Sequence, residues 1–360
     1  MTHSHPARYL PRCIGVVSIA IGVLITPALG VCSDLSFSLT GEPLKLVDPE
    51  KYNFTYAYAP SIIYMGGLWY AYFCTNGTGV HDWDHIRYST SSDGTHWSPP
   101  AQILRTSDAV NERATCDPSV VRFNSGDGEY YYLFYSGNKT NMQTANFVAR
   151  SKSPFGPFLK LTIRGTWESN PPDPKIILSP LHAAPENSNW YGLGQPSLLS
   201  KDGKLYQWYT DTTSEYPSNQ VPRICLSVSS DPGNWATGQA TNVIAGSVDV
   251  KYDPPTHRFF MFGLGNQHVQ RTYLTVRSSK DGVTWSDPTT VIPAGSMPAF
   301  AHNVGVSGTA TGDLNRNFLM IAYGAPYDLD PHYDNDCKMS GPPHCWGYWD
   351  LYGQFLKTIP

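Results

Sequence analysis

An all-β fold is what this sequence predicts, and three observations predict it. Charged residues are only 15% of the chain, while aromatics reach 13% with 23 Tyr and 10 Trp, and 31 Gly and 30 Pro are present. That balance is poor in helix formers and rich in strand and turn formers. Short apolar and aromatic runs alternate with Gly-rich or Asp-Gly turns, which is hairpin chemistry. One such sentence, "CDPSVVRFNSGDGEYYYLFYSG" (Cys116 to Gly137), is written several times along the chain.

The copies appear in order. The first unit is "YAPSIIYMGGLWYAYF" with "HIRYSTSSDGTHW", and the second is the Cys116 segment with "NFVARSKSPFGPF". The third is "GQPSLLSKDGKLYQWYTD" with "RICLSVSSDPGNW", and the fourth is "SVDVKYDPPTHRFFMFG" with "RTYLTVRSSKDGVTW". The fifth and most divergent is "AHNVGVSGTATGDLNRNFLMIAYG" with "WGYWDLYGQFL". Each unit reads as strand, hairpin, aromatic strand, longer loop, third strand, Gly turn and short fourth strand. Fixed self-similarity of this kind marks a repeat architecture. Five four-stranded antiparallel sheets about one axis make a five-bladed β-propeller, which leaves only short protected edges. A β-sandwich would not account for the repetition. The "SSDG" at Asp93 and "SKDG" at Asp281 are expected to be structural turns, with Trp97, Trp235 and Trp285 packing between blades.

The first 30 residues read as an export signal. Arg8 and Arg12 precede an apolar run that ends in the small residues Ala28 and Gly30, so cleavage is expected after Gly30. An uncleaved membrane anchor is the alternative, because the run is about long enough to span a bilayer. Residues 31–360 then form one propeller domain, secreted or periplasmic, with no membrane contact after cleavage. Six cysteines remain beyond the signal, an even number that suggests disulfides in an exported chain. Cys337 and Cys345 are the easiest pair, and the other pairings are open; zinc is disfavoured by the lack of paired CxxC spacing. A net charge of −4 with no Lys/Arg run gives nucleic acid little to bind.

In a propeller, the starts of the innermost strands and the loops between second and third strands share one face. That places Ala59, Asp117, Gln195, the Ser247 to Asp249 region and His302 around the axis. The loops add Asp82, Trp83, Asp84, His85, Asp211, Glu215, His268, Asp328, Asp330 and His332. Carboxylates and imidazoles ringed by aromatics suit a sugar, and glycosidic cleavage takes two carboxyl groups across it. Asp117, Asp249, Glu215 and His302 are therefore the catalytic candidates, and Trp83, Asp84, His85, Gln195, Asp211 and His268 the candidates for binding substrate. A poly- or oligosaccharide is the expected partner.

The pattern "DPSVV…DGEYYYLFYSG", repeated from about Tyr56 to Leu356, resembles the five-bladed propeller superfamily of glycoside hydrolase families 43 and 32. "AHNVGVSG" at His302 and Asn303 resembles a fifth-blade segment of family 43 whose histidine often helps hold a central metal ion, usually calcium. The resemblance thus implies His302 as a metal ligand and a structural calcium, with no cofactor required for chemistry. "RATCDP" resembles a family 32 element, which implies that Asp117 stabilises the transition state. Two departures stand out. The blade-one catalytic aspartate is replaced by Ala59, and the later glutamic acid position holds Gln195 in blade three and Asp249 in blade four. Either the acid and base come from elsewhere, or the scaffold binds sugar without cleaving it.

Overall fold

The sheets of this computed structural model bear out the five-bladed reading. The structure describes residues 35–76, 84–107, 112, 114–138, 143–183, 191–215, 221–267, 271–326 and 349–359. Leu35–Ile359 forms one compact unit. Its innermost strands are Ala57–Met65, Thr115–Asn124, Leu193–Lys201, Val248–Asp253 and His302–Val306. Each begins an antiparallel sheet whose strands follow in chain order outward, except in the fifth blade. There the outermost strand is Ser36–Val47, which pairs with Trp349–Ile359, so the N-terminal part of the chain closes the ring. The second blade carries a fifth strand, Trp167–Glu168, beyond the expected four.

Blades pack face to face through aromatics carried on the turns between third and fourth strands. In the Asp281 turn, backbone N–H groups of Val283 and Thr284 donate to the carboxylate, and the Trp285 indole donates to the Gly282 carbonyl. Those N–H donors hold Asp281 down at about 2. Asp93 and Trp97 repeat the arrangement. Trp285 meets Trp208 of blade three and Trp235 meets Phe134 of blade two, while Trp97 joins a cluster with Phe355 and Met320 of blade five. These turns are therefore packing devices, as the sequence suggests.

The axis is held by a repeated handshake. The backbone N–H of Val120 donates to Ser61 Oγ (3.2 Å), that of Leu198 to Ser119 Oγ (3.0 Å) and that of Val250 to Ser197 Oγ (2.8 Å). The fourth link runs from Val306 N–H to Asp249 Oδ2 (2.6 Å), so Asp249 occupies the serine position of its blade. In the fifth blade the matching residue is Gly305. A Cβ there would lie 2.1 Å from the Pro60 carbonyl oxygen, so blades five and one close by backbone approach. Gly305→Ala is expected to cost about 3 kcal/mol or more through overpacking against backbone. A thermal unfolding midpoint equal to that of the wild type would count against closure at this point.

Beyond Gly305 the chain does not form the simple hairpin its Gly content suggests. Residues Gly308 to Leu314 cross the end of the axis and bond the inner strand of every other blade. Tyr64 N–H donates to Gly308, Arg122 to Ala310, Ser200 to Thr311 and Tyr252 to Gly312. Gly312 has φ +87° and no room for a Cβ beside the Leu198 carbonyl. This segment floors the axial channel at the end opposite the starts of the inner strands.

Candidate active site

At the open end, four inner strands break register in the same place. Bulges lie between Tyr58 and Ser61, Cys116 and Ser119, Gly194 and Ser197, and His302 and Val304. Within them Ala59 (φ 50°), Asp117 (48°), Gln195 (23°) and Asn303 (49°) are left-handed. Such conformations cost a non-glycine residue of order 1–3 kcal/mol each, and bulges commonly re-aim side chains beside functional sites. Blade four pairs regularly, and its matching position is Ser247. The fifth-blade counterpart of Asp117 is thus Asn303, one residue beyond the His302 that sequence alignment by eye selects.

The strand starts line a cleft of about 460 Å³ whose wall includes Tyr58, Asp117, Tyr191, Gln195, His302 and Asn303. Thr210, Thr212, Asn266 and Gln267 complete its polar side. Asp117 is 3% exposed at the cleft wall. Its Oδ1 accepts from Asn303 Nδ2 (3.0 Å), and its Oδ2 accepts from the Tyr191 hydroxyl (3.1 Å) and the Gln195 N–H (3.3 Å). Burial raises its carboxyl above the usual range, and these donors pull part of the way back. The His302 ring stacks on Tyr58 at 5.6 Å between centroids and meets Trp349 at 5.1 Å.

Asp84 lies behind this wall, partly buried, after the loop that joins the second and third strands of blade one. The Tyr56 hydroxyl donates to its Oδ1 (2.5 Å), and its carbonyl accepts from the Thr115 N–H and hydroxyl. Burial pushes the Asp84 carboxyl up to about 7; the Tyr56 hydrogen bond opposes this, and the charge of Asp117 adds to it. Asp84 Oδ1 is also 3.4 Å from Cys74 Sγ, half of a Cys74–Cys116 disulfide that ties blade one to blade two. The Tyr58 hydroxyl donates to the Cys116 sulfur (2.9 Å). The bridge therefore holds Asp84 close to the Asp117 strand. Cys225 is buried and unpaired, and Cys337 and Cys345 lie outside the described residues.

A carboxyl whose folded pKa is raised stabilises the fold while protonated. Its contribution is complete below about 4 and is lost as pH rises through about 7. Asp350, pushed up to about 6 by burial against the pull of Lys45, acts in the same sense. The thermal midpoint is expected to fall between pH 4 and pH 7.5, and Asp84→Asn to remove about 2–4 kcal/mol of that dependence. Parallel pH profiles for the two proteins would show that Asp84 does not titrate there.

The other candidates stand elsewhere. Asp249 accepts both contacts of Lys251 Nζ (2.7 Å each), the Ser197 hydroxyl (2.7 Å) and the Val306 N–H, and it does not line the cleft. Glu215 pairs with Arg223. Asp211 accepts from the Thr213 N–H and hydroxyl and from the Leu181 N–H, which makes it a loop clasp. His85 is buried at the start of its strand, paired with Thr75. Trp83 and His268 fall outside the described residues, as do Asp82, Asp328, Asp330 and His332. Tyr191 and Tyr58 were not foreseen. Both are single tyrosines in a chain with 23, and only tertiary contacts single them out: the Tyr191 hydroxyl on Asp117, and the Tyr58 ring on His302 with its hydroxyl on the Cys116 sulfur.

Calcium is the ion that the family resemblance implies at His302. Calcium takes six to eight oxygens. Here one carboxylate is already turned to N–H and O–H donors, and the imidazole is stacked between rings. These residues do not fit a calcium shell.

No protein-family model matches the chain, and no curated protein matches it in sequence. Solved structures do. The chain is similar to a family 117 glycoside hydrolase of the marine bacterium Zobellia galactanivorans, at 16% identity over 90% of each chain with a TM-score of 0.57. It is similar to the catalytic domain of a GH62 α-L-arabinofuranosidase from Coprinopsis cinerea, at 14% identity over 89% of this chain and 97% of that one, TM-score 0.57. An N-acetylgalactosamine deacetylase from F. plautii, solved with blood group B trisaccharide, matches at 14% identity over 89% and 93%, TM-score 0.55. At such identities the likeness is one of fold, and a deacetylase among the matches shows that the fold carries more than one chemistry. The chain has the five-bladed β-propeller fold found in glycoside hydrolases of several families.

Proposed function

We propose that this protein is an exported glycoside hydrolase that acts on a poly- or oligosaccharide in the axial cleft. The observation that carries the reading is the meeting of Asp117 from blade two and His302 from blade five in one cleft wall. Hydrolysis of a glycosidic bond passes through an oxocarbenium-like state, which a buried negative charge beside the anomeric carbon stabilises. Asp117 is the group for that role. Proton transfer falls to His302, whose ring borders the cleft. A leader over residues 1–30 and a Cys74–Cys116 disulfide both suit a secreted or periplasmic protein.

A second reading, sugar binding without cleavage, is favoured by Ala59 and Gln195, which cannot exchange protons where the resembled families place acids. Purified protein assayed on arabinan, xylan, fructan, galactan and nitrophenyl furanosides separates the two. Release of reducing ends or nitrophenol supports the hydrolase. Binding of these glycans with no turnover of any of them assigns the second reading.

A further inference from the structure

Two amides in the cleft wall bear on what kind of sugar residue sits beside Asp117. Gln195 and Asn303 are 5% and 4% exposed, and both line the cleft. Their orientations follow from their partners. Gln195 Nε2 donates to the Val304 carbonyl (2.8 Å), and Asn303 Nδ2 donates to Asp117 Oδ1 (3.0 Å). A carbonyl and a carboxylate can only accept, so neither amide can be turned round. Gln195 Oε1 and Asn303 Oδ1 remain, and neither has a hydrogen-bond partner among the described residues. A buried acceptor without a donor is costly, and native proteins supply one from water or ligand. Gln207 and Asn146 also hold unpartnered amides, but they lie within strands away from the cleft. At Gln195 and Asn303 the unpartnered oxygens coincide with left-handed backbone, a cleft and a carboxylate.

Tyr191 supplies the remaining wall. The residue is 44% exposed although its hydroxyl is anchored on Asp117 Oδ2. The ring is thereby held in one orientation with surface left to cover, as a sugar's C–H face would cover it.

We propose that Gln195 Oε1 and Asn303 Oδ1 accept hydrogen bonds from two free hydroxyl groups of one neutral sugar residue, whose apolar face lies on Tyr191. The proposal rests on the carbohydrate reading above but does not require cleavage. Two amide oxygens and a carboxylate form an all-acceptor set, which selects a ligand that donates. A uronate or sulfate would bring anionic acceptors against Asp117 and is disfavoured.

Titration calorimetry of the full mature protein tests this with xylotriose, arabinotriose, per-O-methylated xylotriose and trigalacturonate. A neutral trisaccharide is expected to bind, with the methylated and acidic probes at least about tenfold weaker. Gln195→Met, which keeps side-chain length, and Asn303→Gly, which keeps the left-handed backbone, are each expected to weaken binding about tenfold. The wild-type comparison of probes stands even if a variant fails to fold. Equal affinity for the methylated or acidic probe, loss of binding on adding EDTA, or no binding of any neutral trisaccharide overturns the proposal. Turnover read in the same samples keeps the two claims apart. Binding that depends on Gln195 without hydrolysis defeats only the glycosidase reading, and hydrolysis indifferent to both substitutions defeats only this one.

Discussion

Asp117→Asn is expected to lower kcat on any glycoside the protein cleaves by about 10²–10³-fold, the usual effect of removing one charge-stabilising group from a transition state. Asparagine tolerates left-handed backbone, so the φ of 48° at this position is no obstacle to the variant. Two energetic effects on the fold oppose each other. A neutral amide relieves the burial that raises the Asp117 carboxyl, but its NH₂ must face either the Asn303 amide or the Tyr191 hydroxyl and Gln195 N–H, all of which donate. A misplaced donor costs about 1–3 kcal/mol, so the variant should stay folded. Near-UV circular dichroism and kcat/KM measured together decide the matter. Full activity in a folded Asp117→Asn protein would remove the central carboxylate from the mechanism.

Asp249→Ala should show the opposite profile. Lys251 is 6% exposed, and both of its 2.7 Å contacts to Asp249 would vanish, leaving an ammonium uncompensated in the core. Removing one partner of a buried ion pair typically costs about 3–5 kcal/mol. The Val306 N–H and the Ser197 hydroxyl lose their acceptor in the same stroke, which cuts the link between blades four and five. Chemical denaturation should register the loss, while kcat per folded molecule stays within a few fold. Replacing both residues, Asp249→Leu with Lys251→Met, should recover most of the stability, because no charge is then stranded. If Asp249→Ala instead kept its stability and lost kcat, Asp249 would belong to the chemistry.

These two aspartates show where sequence reading succeeded and where it stopped. Asp117 precedes Pro118 as Ala59 precedes Pro60 and Gln195 precedes Pro196, so the three positions align by inspection. Blade four has no such proline, so the sequence brackets its opening only as the Ser247 to Asp249 region with Asp249 two residues deeper than Asp117, and the structure gives Asp249 the place of Ser61, Ser119 and Ser197. A shift of two residues keeps a side chain on the same face of a strand, so alternation of apolar and polar residues does not choose between Ser247 and Asp249. In blade five the bulge displaces the alignment by one, which exchanged His302 for Asn303.

Blade number, blade composition and the aromatic turns were determined by local chemistry: strand propensity, Gly and Asp-Gly turns and the recurrence of one sentence act within 20 or so residues of themselves. Other features needed the folded ring. Ser36–Val47 becomes the outer strand of blade five because the edge left by Trp349–Ile359 is the one open for pairing when the circle closes. Gly308 to Leu314 becomes the floor of the channel because five strand ends leave their backbone groups pointing at a common axis. The candidate site is of this second kind. Asp117, Tyr191, Gln195 and Asn303 are brought together by hydrogen bonds that span up to 186 residues, and His302 by its ring contact with the still more distant Tyr58, and no local pattern encodes a contact at that range.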